Sequence, residues 1–286
     1  MNKFRLISLI FILCTGILNA QNKSLFPQMP GMVSYTYRNS FQKNIALTLD
    51  TLKTMGIKDM EFSNLFGEKA AEIRKMLDDR GMYCSSFGVS YQDLTDKTRE
   101  VGKNAVALGA KYVRIAGIPH DSIFTLKNAD MAVKAFDKAG KILKDEFGIT
   151  FCYHNHGFEF FPYQKETLFD YIVKNTDPKY VSFEIDILWT FFPGVDPVKL
   201  LNKYGNRFKL LHLKDLRKGI TGNLTGVTSI KNDVALGSGQ LDLPAILNVA
   251  KKIGIKHYYI EDESPDYVIQ VPQSILYLKG LKTGKK

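Results

Sequence analysis

The chain has 286 residues, 45% of them hydrophobic and 24% charged, a balance that supports one large core and excludes a disordered or low-complexity protein. Its formal charge is +10, yet the lysines are spread over helix-like stretches, as at Lys134, Lys138, Lys141 and Lys144. The aromatic-interleaved basic stripe of a nucleic-acid binder is missing. Of the three cysteines, Cys84 and Cys152 sit in apolar, strand-like sequence, which argues against a disulfide framework and predicts buried free thiols.

In chain order, the first segment reads as a leader. Lys3 and Arg5 give a short positive region, Ile7 to Leu18 is almost continuously apolar, and Leu18-Asn19-Ala20 precedes Gln21. That pattern predicts a secretory signal peptide over residues 1–20, a mature domain over 21–286, and export to the periplasm or beyond. The apolar run falls short of the roughly 20 residues a membrane span needs, and no later segment qualifies.

From about residue 31, β-rich runs alternate with amphipathic stretches. The predicted strands are Met32–Tyr37, Lys58–Ser63, Tyr83–Val89, Tyr112–Ala116, Thr150–His154, Val181–Asp186, Phe208–Lys214 and Tyr258–Asp262. Between them, apolar residues recur at three- and four-residue steps, as in Ile45-Leu49-Leu52-Met55 and Ala132-Ala135-Phe136-Ala139-Ile142-Leu143. Glycine closes several of these stretches, at Gly56, Gly81, Gly109, Gly148 and Gly254, where it ends a helix before the next strand. Eight such units in about 250 residues predict a single-domain (β/α)8 TIM barrel. The lack of Gly-x-Gly-x-x-Gly after the first strand weighs against a nucleotide-binding open sheet. The long stretch from Arg217 to Leu236 reads as a loop after the seventh strand that covers the site.

In such barrels function sits at the carboxyl ends of the strands. The fifth predicted strand ends in His154-Asn155-His156, the sixth in Glu184-Ile185-Asp186, the seventh in His212-Leu213-Lys214-Asp215 and the eighth in Glu261-Asp262-Glu263. Strand alternation puts His154 with His156, Glu184 with Asp186, His212 with Lys214, and Glu261 with Glu263 on shared faces. One of each pair can enter the barrel mouth while the other stands farther out. Two imidazoles with two carboxylates suit one divalent Mn, Co, Zn or Fe ion better than calcium, which prefers oxygen alone. The first three strands end in residues such as Tyr37, Arg38, Asn64 and Ser90, suited to substrate contact. Trp189, Phe191 and Phe192 read equally as core or as an apolar wall for a sugar ring.

The runs Tyr153-His154-Asn155-His156-Gly157-Phe158-Glu159-Phe160, Asp186-Ile187-Leu188-Trp189, Leu211-His212-Leu213-Lys214-Asp215 and Leu236-Gly237-Ser238-Gly239-Gln240-Leu241-Asp242 resemble the sugar phosphate isomerase/epimerase group with its xylose isomerase-like barrel. The resemblance covers essentially the whole mature chain. It implies a metal held by strand-end residues that match Asp186, His212 and Glu261 here, with His154 where many relatives carry a glutamate. In that group two glutamates form an acid/base pair about the carbon being inverted, so His154 shifts the expectation toward a one-base reaction, of the kind in which inosose dehydratases and enzymes of 3-keto sugars remove or add a group beside a carbonyl.

On this reading the metal would stabilise an enediolate, Glu261 or His156 would take the α-proton, and Lys214 would meet developing oxyanion charge. Arg38, Glu61, Glu159 and Trp189 would bind substrate. The expected partner is a small carbohydrate, non-phosphorylated because the chain is exported, with no nucleic acid and no membrane span; a homodimer is allowed. A non-catalytic carbohydrate-binding barrel and an abasic-site endonuclease share the architecture. The second would need more metal ligands than five histidines supply.

Overall fold

The computed structural model describes residues 24–26 and 28–282; the predicted leader over residues 1–20 lies outside the described residues. Eight strands, β1 Gly31–Val33, β2 Asp59–Phe62, β3 Tyr83–Gly88, β4 Tyr112–Ile115, β5 Thr150–His154, β6 Val181–Asp186, β7 Phe208–Leu213 and β8 His257–Ile260, close into a barrel in sequence order. Every neighbouring pair is parallel, including β8 with β1. The principal outer helices are α1 Ile45–Thr54, α2 Ala70–Asp78, α3 Thr98–Leu108, α4 Leu126–Phe147, α5 Leu168–Asn175, α6 Pro197–Tyr204, α7 Leu243–Lys252 and α8 Tyr267–Gly280. The predicted (β/α)8 barrel is the fold.

Strand β1 departs furthest from its predicted extent. The run to Tyr37 is β-prone in composition, but the backbone turns after Val33: Thr36 N–H donates to Val33 O, Tyr37 to Ser34 O and Arg38 to Tyr35 O. A short helix, Arg38–Lys43, follows at once.

Side-chain alternation builds the site. On β5, Phe151 and Tyr153 point outward and pack on Phe136 of α4, with ring centroids 5.2 and 5.0 Å away. Burying an aromatic side chain of this size contributes about 1.5–3 kcal/mol, so the register of β5 is strongly fixed and Cys152 and His154 must face inward. Inside the barrel Val33, Cys152, Leu210 and Tyr259 form a small apolar cluster separate from the outer core, with Tyr112 against it. Two residues onward from Cys152, Leu210 and Tyr259, the same face carries His154, His212 and Glu261. Cys84 and Cys152 are buried and unpaired, as predicted. Among the described residues no helix is long and apolar enough to cross a membrane.

Candidate metal centre

Register brings the strand-end residues side by side: His154 pairs with Glu184, and Asp186 with His212, which in turn pairs with Tyr259. Asp186 also starts the short helix Ile187–Phe191, and its Oδ1 accepts from Trp189 N–H at 2.9 Å. Its other oxygen, Oδ2, is buried without a hydrogen-bond partner among the described residues and lies 3.8 Å from His154 Nε2. His212 Nδ1 stands 2.8 Å from Glu261 Oε2. Asp186, His212 and Glu261 thus offer ligand atoms within 4.8 Å of one another. Asn155 joins the two strand ends by accepting from Asp186 N–H at 3.1 Å and donating to Thr190 Oγ1 at 3.1 Å.

Each imidazole has a second carboxylate beneath it. His154 Nδ1 is 3.0 Å from Glu184 Oε2, and His212 Nε2 is 2.8 Å from Glu61 Oε1 and 3.3 Å from Glu184 Oε2. Arg114 on β4 donates to Glu61 at 2.7 Å and lies 3.7 Å from Glu184. One nitrogen of each ring therefore faces the upper carboxylates and the other a lower one, the arrangement by which an outer carboxylate orients a ligating histidine. His154, Glu184 and His212 also satisfy the spacing for a metal group, so two candidate triads share His212.

The charges are unbalanced in the direction a cation would correct. Three buried carboxylates, Glu61, Glu184 and Asp186, and the partly exposed Glu261 face the permanent cations Arg114 and Lys214. Burial pushes Asp186 up to about 7 against the pull of Lys214, and raises Glu184 well above the usual carboxylate range, with Glu61 adding to the effect. Burial also opposes ionisation of Glu61, but Arg114 and His212 outweigh it and hold Glu61 down to about 2. Burial and the neighbouring imidazoles hold His154 well below the histidine range, so it is neutral, as a ligand must be. His212 is raised well above that range because Glu184, Glu61 and Glu261 overcome its burial. A proton there occupies the place among carboxylates that a divalent ion would take. These features fit a divalent metal.

The structure sorts the other predicted residues. A cavity of about 350 Å³ at the mouth is lined by His154, His212 and Glu261, by His156 and Trp189, and by Asn64 and Ser90 from the ends of β2 and β3. His156 stacks on Trp189 with centroids 5.7 Å apart, and burial and Lys214 push it down to about 3. Four predicted contacts lie elsewhere. Glu61 is buried beneath His212 as described. Glu159 is fully buried and binds Tyr153 Oη, His156 N–H and Gly157 N–H, so it shapes the loop that carries His156. Arg38 stacks on Tyr35, 4.4 Å from the ring centroid, and Tyr35 rather than Arg38 lines the cavity. Lys214 is held by Glu263 at 2.6 Å, Glu261 at 3.4 Å and Asp233 at 3.5 Å. It lies behind the two glutamates that line the cavity, an ion partner rather than a free donor.

Asp215 serves the fold: its carboxylate accepts from the N–H groups of Leu216, Gly237, Gly239 and Leu241. A Cβ at Gly239 would stand 2.2 Å from Asp215 Oδ1, so this turn requires glycine. The predicted covering loop does reach the site, with Gly226 packed on Phe158 and His156. Sequence reasoning missed Arg114 as a site residue and left Glu184 without a role. An arginine inside the apolar strand Tyr112-Val113-Arg114-Ile115 was the available signal.

A family model described as the xylose isomerase-like TIM barrel matches residues 49–281. The chain belongs to this family. The inosose dehydratase of Geobacillus thermodenitrificans is 25% identical over 157 residues, 52% of this chain and 52% of that protein. That match therefore spans about half the relative's length. The crystal structure of a sugar phosphate isomerase/epimerase from Parabacteroides distasonis aligns with TM-score 0.72 and 26% identity over 88% of this chain and 96% of that one. The crystal structure of IOLI protein with a bound zinc atom gives TM-score 0.69 and 13% identity over 88% of this chain and 95% of that one, a likeness of fold.

Proposed function

We propose that this family member is a metal-dependent enzyme acting on a non-phosphorylated keto sugar or glycoside beside its carbonyl, as a lyase or hydratase in preference to an isomerase or epimerase. The observation that carries the reading is the pair of imidazoles, His154 and His212, each with one nitrogen toward Asp186 or Glu261 and the other toward a lower glutamate. Similarity to inosose dehydratase, and to a barrel crystallised with zinc, supports it.

His154, Asp186, His212 and Glu261 would hold one divalent ion of the Mn, Co, Zn or Fe type, which supplies Lewis acidity to a carbonyl and its neighbouring hydroxyl. Glu261 and His156 both line the cavity, so either is placed to take the α-proton. Lys214 keeps Glu261 ionised. Trp189 gives the sugar an apolar wall. The predicted leader, with the export it implies, supports an unphosphorylated substrate.

The test is a screen of 3-keto glycosides beside free ketoses, in deuterated water, with the metal-loaded protein. Loss or gain of a leaving group or water beside the carbonyl is expected, with the α-proton given up to solvent in elimination and solvent deuterium taken up at the α-carbon in addition. Reversible inversion without loss of a leaving group would replace the lyase reading, and no turnover of any keto sugar would overturn the proposal.

A further inference from the structure

Beside the metal-lined cavity lies a second concavity of about 390 Å³, between the ends of β2 and β3 and helix α3. Ser63, Asn64, Val89 and Ser90 line both, so the two adjoin across one pair of strand ends. The metal-lined cavity alone is near the lower end of the roughly 300–1,000 Å³ typical of small-molecule sites. Resting on the keto-sugar reading above, we infer that the adjoining concavity is a second subsite, and that it takes the uncharged leaving unit of a two-unit glycoside.

The walls have the composition such a ring needs. Phe87 and Val101 are buried and apolar, while Asn64 and Asn104 present amides. The charges there are two acids, Asp93 and Glu100, and one base, Lys97, which pairs with Asp93 at 3.3 Å. No cationic cluster is available for a phosphate among these residues, and in the neighbouring cavity Arg114 is committed to Glu61. The lip between the cavities is stiff. Phe66 holds φ 51 without being glycine, a conformation that costs on the order of 1–3 kcal/mol and persists only where surroundings impose it. It is imposed here by Asn64 Oδ1, which accepts from Phe66 N–H at 2.6 Å, and by Phe41, stacked on the Phe66 ring at 5.2 Å. The same contacts fix Asn64 where both cavities meet.

Two variants on α3 test the subsite. Asn104→Leu removes the amide at nearly constant volume, and Asn104→Phe fills the space. For the metal-loaded protein, kcat/KM is compared between a keto glycoside with a second ring and the corresponding single-ring keto sugar. In either variant the value for the two-ring substrate is expected to fall about ten-fold or more beyond that for the single ring, through loss of about one hydrogen bond in Asn104→Leu and through occlusion in Asn104→Phe. Equal losses on both substrates would overturn the subsite while leaving the keto-sugar reading intact. Equilibrium dialysis with an unreactive disaccharide covers the case in which no substrate turns over: wild type is expected to bind it about ten-fold more tightly than Asn104→Leu, and equal affinities would overturn the subsite independently of catalysis.

Discussion

The two ends of the barrel both pair histidine with carboxylate, and they finish the job differently. At the amino end His257 Nδ1 sits 2.8 Å from Asp59 Oδ2, while Asp59 Oδ1 accepts from Ser85, whose hydroxyl also meets Tyr259 Oη. Both carboxylate oxygens are used. At the carboxyl end the same residue types are more numerous and more deeply buried, yet Asp186 Oδ2, Glu184 Oε1 and Glu61 Oε2 find no partner among the described residues. A buried polar atom left unpaired costs about 1–3 kcal/mol. A fold that satisfies Asp59 but leaves three such oxygens around two histidines is built there for something other than its own stability.

Breaking the mouth should therefore cost function, and breaking the floor should cost stability. Largest is the effect of Asp186→Ala or His212→Ala, expected to lower kcat/KM by about 10³-fold or more, since a bound metal supplies several kcal/mol to the transition state. Steady-state kinetics with the substrate found by the screen would check it, alongside a thermal melt showing that the variant folds. Next is Glu184→Gln, which leaves the four proposed ligands in place but loosens His154. Metal affinity from competition with a chelating dye should fall about 10–100-fold, the usual range for a residue that orients a ligand. Unchanged affinity would mean that the lower layer has no share in the centre.

At the floor, Asp59→Ala strands His257, Ser85 and Tyr259. Urea unfolding should show a loss of about 1–3 kcal/mol with metal affinity unchanged.

The smallest effect is expected at Asp170. Burial opposes its ionisation, but hydrogen bonds from Lys203, Tyr204 and Thr167 prevail and hold it below the usual carboxylate range. A depressed folded-state value stabilises above the unfolded value of about 3.9 and is lost as pH falls through the folded one. Asp170→Asn should therefore cost about 1 kcal/mol at pH 7, the usual worth of a helix cap, and the gap to wild type should close as the solution is acidified below about pH 4.

How much of this was legible varied with the kind of signal. The eight strands were, because glycine stops and β-rich runs repeat locally; β1 ran long because nothing in Ser34-Tyr35-Thr36-Tyr37 marks the turn that backbone bonds create there. The shared inward face of the strand-end residues was legible through alternation, which puts His154, Asp186, His212 and Glu261 on inward faces. Depth was not. Alternation gives the face of Glu61, Glu184 and Arg114 but not the layer, which depends on strand register around the barrel. Partners distant in sequence escaped as well: Lys214 reads as an available cation until Asp233, from the covering loop, joins Glu261 and Glu263 around it. Glu159 escaped for the opposite reason, its bonds being made within its own loop.

The proposed centre places one divalent ion at the mouth and none at the floor. Metal analysis of the purified protein, beside Asp186→Ala/His212→Ala and His257→Ala variants, tests it most directly. About one ion per chain is expected in wild type and His257→Ala, and none in the double variant, because loss of His212 breaks both candidate triads. Full occupancy in the double variant, or loss of the ion on removing His257, would contradict it.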